Sequence, residues 1–228
     1  MSLQSRIAPS GTLRFAINIG NSVLTRFDPQ SGEVSGITVN LARDIARELD
    51  LPYKLEIYTS ARAVVEAVSR GTWDFAFIAR DPKRSESITF SAPYFLIEGN
   101  YLVRKDSQIT SNREVDQSGV TVAVGKGAAY DLYLTRHLQH AEIIRTDGTK
   151  SVMDMFIDNG IDVAAGIRQS LESHIASNTN LRLLPDPFMH IKQAIATPAQ
   201  NRESADFIKA YLEDARKSGR LKKLCETS

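Results

Sequence analysis

An arginine set just past a strand end is the sharpest chemical feature of this chain. The stretch FAFIARDPKRSESITFSAPYFLIEGNY, Phe75 to Tyr101, opens with an apolar run from Phe75 to Ala79. That run empties into a polar turn holding Arg80, Asp81, Pro82 and Arg84, and a second apolar run ends in Ala92-Pro93-Tyr94. A guanidinium fork makes two parallel charge-assisted hydrogen bonds to a carboxylate, a geometry that lysine cannot copy. Arg84 is therefore a candidate carboxylate anchor. The plainer alternative is a solvated arginine that staples its own turn.

Other residues capable of chemistry are spread along the chain. Asn18 and Asn21 can each donate and accept, which suits a polar ligand as well as a bare turn. Backbone groups of Ala79 and the guanidinium of Arg80 face two readings, ligand contact or turn; pairing of Arg80 with Asp81 or Asp74 is expected. Gly125-Lys126-Gly127-Ala128-Ala129 reads as a strand-to-helix turn. The N–H groups of Gly127, Ala128 and Ala129, with the positive end of a helix dipole, would favour an anion there. Arg168 is either a second anion reader or an exposed helix-start residue. Glu98 is an ammonium partner, an acid-base group or a solvated carboxylate. His137 and His140 lack a further ligand in register, so no metal site is assigned. No G-x-S-x-G, triad, P-loop or dinucleotide fingerprint is present, so no catalytic residue and no cofactor is expected.

These groups need a scaffold, and the pattern supplies an α/β one. Apolar runs at Leu13–Ile17, Tyr53–Tyr58, Phe75–Ala79, Val120–Val124, Glu142–Arg145, Asp162–Ala165, Leu181–Leu184 and His190–Ala196 predict strands. Helices are expected between them. Leu41, Ile45 and Leu49 share one face of a helix from Val39 to Leu49, capped by Thr38 or Asn40. Ser60 caps the next, with Val64, Val65 and Val68 inward and Gly71 at its end. Further helices are expected over Ala128–His137, Lys150–Ile157, Gln169–Ala176 and Arg202–Lys217. Such alternation signals mostly parallel sheets.

Composition narrows the class. The chain has 228 residues, enough for one large domain or two ordinary lobes. Its 28 basic and 27 acidic residues offer no field for nucleic acid or anionic membrane. No apolar run is long enough to span a bilayer. Cys225 stands alone, so cysteine usage is silent about compartment. The start, Met1-Ser2-Leu3-Gln4, has no basic or apolar leader pattern, which taken alone favours the cytoplasm.

Arg84 followed by Phe90-Ser91-Ala92-Pro93-Tyr94 resembles the arginine and F-S-x-P-Y of the bacterial extracellular solute-binding proteins, family 3, and the likeness spans nearly the whole chain. Gly36-Ile37-Thr38-Val39-Asn40-Leu41-Ala42 is similar to the family's G-F-x-x-D-L-A, with Asn40 for Asp, and implies a structural turn into the first helix. The resemblance implies a two-lobed type II periplasmic-binding-protein fold, each lobe a mostly parallel sheet flanked by helices. Lobe one would hold residues 1–103 and 197–228, and lobe two residues 104–196. Tyr101–Lys105 and Gln193–Thr197 would form a two-segment hinge. Arg84 would grip a ligand carboxylate, and closure would present the loaded monomer to an ABC permease in the periplasm. Met1–Leu3 would then be a scar ahead of a mature sequence. A dehydratase of the cyclohexadienyl or arogenate type and the sensor lobe of a receptor are the alternatives on the same fold.

Departures from the family pattern shape the expected ligand. Ala128 replaces a Thr or Ser hydroxyl, and Asn18–Ser22 lacks an aromatic cover, which suggests a small ligand without a large ring. The turn before Arg84 is short and lacks the customary Gly-Met-Thr/Ser. Ile167 stands where amino-acid binders place an acid for the α-ammonium. With Arg84, the Gly127 turn and Arg168 all favouring negative charge, acids lacking an ammonium are expected to bind better than α-amino acids.

Overall fold

The computed structural model describes residues 2–146 and 152–226. The backbone divides into two units, residues 1–95 with 192–228, and residues 96–191. Among the described residues no helix is long and apolar enough to cross a membrane.

In the first unit the strand Leu13–Asn18 is central, parallel to Tyr53–Tyr58 on one side and to Phe75–Ala79 on the other. Gln193–Ala196 adds antiparallel to Ala79–Ala76. Every residue of Phe75–Ala79 is buried, as a run without polar alternation requires of a strand covered on both faces. Phe15 stacks on Phe75 at 5.8 Å and on Phe77 at 6.1 Å between ring centres. Buried Trp73 donates its indole N–H to the Val64 carbonyl at 3.0 Å, fixing the helix Ala61–Ala67 to the sheet. The Ser60 hydroxyl accepts from the Ala63 N–H at 3.2 Å, the expected cap.

The first long helix differs from expectation. It runs Ile37–Glu48, two residues earlier than its apolar spacing suggests, and neither Thr38 nor Asn40 caps it. Gly36 holds the cap position at φ 110, where a Cβ would lie 2.7 Å from the Leu24 carbonyl oxygen. Thr38 bonds the Thr25 hydroxyl at 2.8 Å, and Asn40 donates to the Leu224 carbonyl at 3.2 Å. The β-branched pair Ile37-Thr38 masks the start because such residues read as extended. Leu3, the last residue of the Met1–Leu3 stretch read from sequence as a scar, opens a short helix, Leu3–Ile7, that buries Ile7 completely.

The second unit repeats the plan. Thr121–Gly125 lies parallel to Glu142–Thr146 and to Val163–Ile167. Gly99–Val103 pairs antiparallel with Ile167–Val163, and Leu181–Leu183 with Arg104–Leu102. Leu102, Phe156, Ala164 and Leu171 meet beneath the helices Val152–Asp158 and Arg168–Ser177. The expected helix start at Lys150 lies outside the described residues. Arg104 donates to the Phe156 and Ile161 carbonyls, each at 2.7 Å, satisfying acceptors at a helix end.

The chain passes between units inside two strands, Ile88–Arg104 and Met189–Pro198. The expected crossings, at 103/104 and 196/197, fall elsewhere: the division lies at 95/96 and 191/192. Tyr101–Val103 is already paired inside the second unit, and Gln193–Ala196 inside the first. A uniform apolar run does not mark where a strand exchanges partners.

Asp116 ties down the turn before Glu142–Thr146 by accepting the N–H groups of Gln139, His140 and Ala141 at 2.8 to 3.0 Å. Burial pushes its carboxyl pKa up, but these backbone donors outweigh that, and the pKa falls below the usual carboxylate range. A depressed folded pKa adds stability that is complete above the unfolded value, about 3.9, and disappears as pH falls through the folded one. Asp116→Asn is therefore expected to be less stable than the parent at neutral pH, with the gap closing in acid. Urea denaturation at pH 7 and pH 3 checks this; a gap that widens in acid would contradict it.

Candidate functional site

The first unit holds Arg84 at the end of its most buried strand. Strand Phe75–Ala79 stops at Ala79, the chain turns at Asp81-Pro82, and a single 3-10 turn, Arg84–Glu86, follows. Arg84 is 3% exposed, so it is not solvated, though it does staple its own turn. Its Nη1 donates to the Ala79 carbonyl at 2.7 Å, which fixes the plane of the fork. Burial pushes the guanidinium pKa down to about 10, with the charge of Asp81 acting in the opposite sense, so the group remains a cation at neutral pH.

Arg80 does not pair as expected. Its side chain is exposed and makes no ion pair among the described residues. Asp74 is taken by Arg14, whose Nη2 lies 2.6 Å from Oδ1 and whose backbone N–H donates to Oδ2 at 2.8 Å. The Asp81 carboxylate accepts the Lys83 N–H at 2.9 Å. Asn18, the last residue of the central strand, and Asn21, just beyond it, both use Oδ1 to close turns, onto the N–H groups of Gly20 at 3.0 Å and Val23 at 3.3 Å.

In the second unit the Gly127 turn does precede a helix, Ala129–His137, with Ala128 as its cap residue. The expected anion position is already served from within. Asp131, 3% exposed, accepts the Gly127 N–H at 2.7 Å and Arg145 Nε at 2.9 Å. A carboxylate in the first turn complements the helix dipole, so the protein supplies its own anion here.

Arg168 is likewise committed. It begins the helix Arg168–Ser177, donating to Glu98 Oε2 and to Glu172 Oε1, each at 2.8 Å. These bonds, Glu172 first and Glu98 second, raise its pKa. Of its two expected readings, second anion reader or helix-start residue, Arg168 does open a helix, and two carboxylates already offset its charge. Glu98 is correspondingly an ion-pair partner, neither simply solvated nor standing alone as an acid-base group. The pairing follows from register, since Gly99 opposes Ile167 and sets Glu98 across from Arg168.

Sequence reasoning missed two groups. Asp131 is signalled by its place three residues past the cap, a position where a side chain reaches back to helix N–H groups. Asn100, 0% exposed and without a hydrogen-bond partner on either polar atom, carries no sequence signal inside its apolar strand.

The topology, with parallel sheets each closed by antiparallel strands and a chain that crosses twice, is that of the type II periplasmic binding proteins. Residues 15–227 match the family model "Bacterial extracellular solute-binding proteins, family 3", and the chain belongs to that family. It is 26% identical over 126 residues to the amino-acid-binding protein AabA of Dichelobacter nodosus, a match spanning 54% of this chain and 46% of that protein. It is 23% identical to the cyclohexadienyl dehydratase of Pseudomonas aeruginosa over 97% of this chain and 84% of the enzyme. A solved mutant of ArgBP from T. maritima superposes with a TM-score of 0.80 at 22% identity, covering 99% of this chain and 98% of that one.

Proposed function

We propose that the protein is an extracytoplasmic solute receptor: it captures a small carboxylate-bearing ligand, an amino acid or related organic acid, and hands it to an ABC permease. The observation that carries this reading is Arg84, a buried cation at the end of the Phe75–Ala79 strand with its fork oriented by the Ala79 carbonyl. Burying a guanidinium costs several kcal/mol, and a site designed to receive an anion recovers part of that cost on binding. Ligands bound outside the carboxyl ends of strands are the rule in open α/β sheets. AabA is named an amino-acid-binding protein and ArgBP is described with arginine bound, which supports the amino-acid class. Capture would proceed by hinge motion about the two crossing strands.

The expected preference for acids lacking an ammonium loses two of its three supports, since Arg168 and the Gly127 turn already hold carboxylates. Zwitterionic amino acids are therefore retained as ligands.

The long match to cyclohexadienyl dehydratase favours a second reading, an enzyme on this fold. Elimination of a hydroxyl needs a group placed to deliver a proton. Glu98, the candidate for that role, is bonded to Arg168, so binding without turnover is the reading adopted.

A thermal-shift panel of the common amino acids, dicarboxylates and prephenate tests both. One or more amino or organic acids should raise Tm with the logarithm of concentration above Kd, by about 2.7 kcal/mol of stabilisation at a hundredfold excess. Prephenate should persist. Conversion of prephenate to an aromatic acid would favour the enzyme, and a panel without any shift would remove the receptor reading.

A further inference from the structure

The strand Tyr53–Tyr58 ends the strand order of the first unit, paired with Leu13–Asn18 on one side and with no strand of the described residues on the other. Native folds guard such an edge with a bulge, an internal proline, an unmatched lysine or a covering segment. This one runs six residues in unbroken register, from Leu13↔Tyr53 to Asn18↔Tyr58, and its nearest proline, Pro52, stands just outside it. Its lysine, Lys54, is neutralised within the strand by Glu56, with Nζ 2.8 Å from Oε1. Tyr53 and Ile57 stand 37% and 42% exposed. The strand at the other end of the order, Glu142–Thr146 of the second unit, exposes no large apolar side chain.

Backbone alternation tells which groups are open. Leu13 donates to the Pro52 carbonyl and Ile19 to the Tyr58 carbonyl, each at 2.9 Å. The even-numbered residues of the strand therefore turn their N–H and C=O groups towards Leu13–Asn18, and Tyr53, Leu55 and Ile57 turn theirs outward. The same three residues share the apolar face of the strand, with Tyr53 edge-on to Phe15 at 6.0 Å between ring centres. Lys54 and Glu56 share the opposite face.

A second copy of this strand, laid antiparallel about a twofold axis at Leu55, matches all of these groups at once. Leu55 then meets its own copy, and Tyr53 meets Ile57, as hydrogen-bonded pairs that exchange N–H and C=O. Lys54 falls opposite Glu56 in the positions between, where Cα atoms approach to about 4.5 Å and side chains lie closest. Sliding the register by two residues either way sets Lys54 against Lys54 or Glu56 against Glu56, so the charges select one alignment. We propose that the free edge of Tyr53–Tyr58 is a homodimer interface, its partner a second copy of this chain paired antiparallel across Leu55. The contact closes on itself, because an isologous pair uses the same patch on both copies. It lies on the side of Leu13–Asn18 away from Phe75–Ala79, so the strand that ends at Arg84 takes no part in it. The monomer expected from the family resemblance gives way to a reversible pair. One six-residue strand buries far less than a standard interface, so the dimer is expected to be weak, with Kd on the order of 100 µM.

Sedimentation velocity of the full chain, at concentrations about tenfold either side of that value, measures the association, and amide hydrogen exchange on the same samples locates it. The parent should show a monomer–dimer equilibrium. Exchange at Tyr53, Leu55 and Ile57 should slow as concentration rises, while Lys54, Glu56 and Tyr58, already bonded inward, stay unchanged. Lys54→Glu and Glu56→Lys each set like charges opposite one another, and each alone should dimerise at least about tenfold more weakly. Mixed in equal amounts the two variants should associate again, because every crossing then joins opposite charges. The double exchange K54E/E56K should likewise restore the parent's dimer. A parent that stays monomeric throughout, a dimer indifferent to both single variants, or protection that appears away from this strand would each overturn the proposal. The receptor reading stands or falls separately, on ligand binding.

Discussion

Arg84→Lys is expected to weaken ligand binding about a hundredfold, the largest functional effect of any single conservative change in this chain. Lysine keeps the charge but loses the planar fork, and with it one of two charge-assisted bonds, each worth roughly 1.5–3 kcal/mol. It also loses the bond to the Ala79 carbonyl that orients the fork. An ammonium at a position 3% exposed gives up its proton more readily than a guanidinium, so part of the charge goes as well. Calorimetric titration of parent and variant with the ligand found by thermal shift decides the matter. Affinities within threefold of each other would show that Arg84 is a structural cation and that the carboxylate is held elsewhere.

Asp131→Ala should be the most destabilising of the substitutions considered, by about 2–3 kcal/mol. The carboxylate is buried, and its loss removes the acceptor of the Gly127 N–H bond and the partner of Arg145 Nε. Arg145 is 37% exposed, so water takes up some of its charge, and the figure sits below that for a fully enclosed pair. Asp131→Asn keeps the shape and one acceptor oxygen, and should cost about half as much. Equilibrium urea unfolding gives both values. A loss under about 0.5 kcal/mol for the alanine variant would mean that the turn closes without its internal anion.

Much of the scaffold was legible because it rests on local pattern. Phe75–Ala79 reads as a covered strand from five apolar residues in a row, and Ser60 reads as a cap from residue type and place. Of the candidate site, sequence flags what is local: Arg84 stands out by its distance from the strand end and the F-S-x-P-Y that follows. Non-local features stayed hidden. The bond from Arg168 to Glu98 joins residues 70 positions apart and exists because Gly99 meets Ile167 in the ladder. A slip of one residue in that register would send Glu98 to the opposite face. The same dependence conceals Asn100, since an asparagine in an apolar run looks identical whether or not its amide finds a partner.

The two crossings inside Ile88–Arg104 and Met189–Pro198 also govern the order in which the chain can be completed during synthesis. The second unit is contiguous, residues 96–191, and its strands are all available once that stretch has left the ribosome. The first unit begins earlier but stays open: Ala76–Ala79 has no antiparallel neighbour until Gln193–Ala196 emerges, and Asp44 lacks Tyr211, whose hydroxyl bonds it at 2.8 Å. The half of the protein that carries Arg84 is thus the first to be made and the last to be finished. Its bare strand edge is the segment that a nascent chain must shield from aggregation.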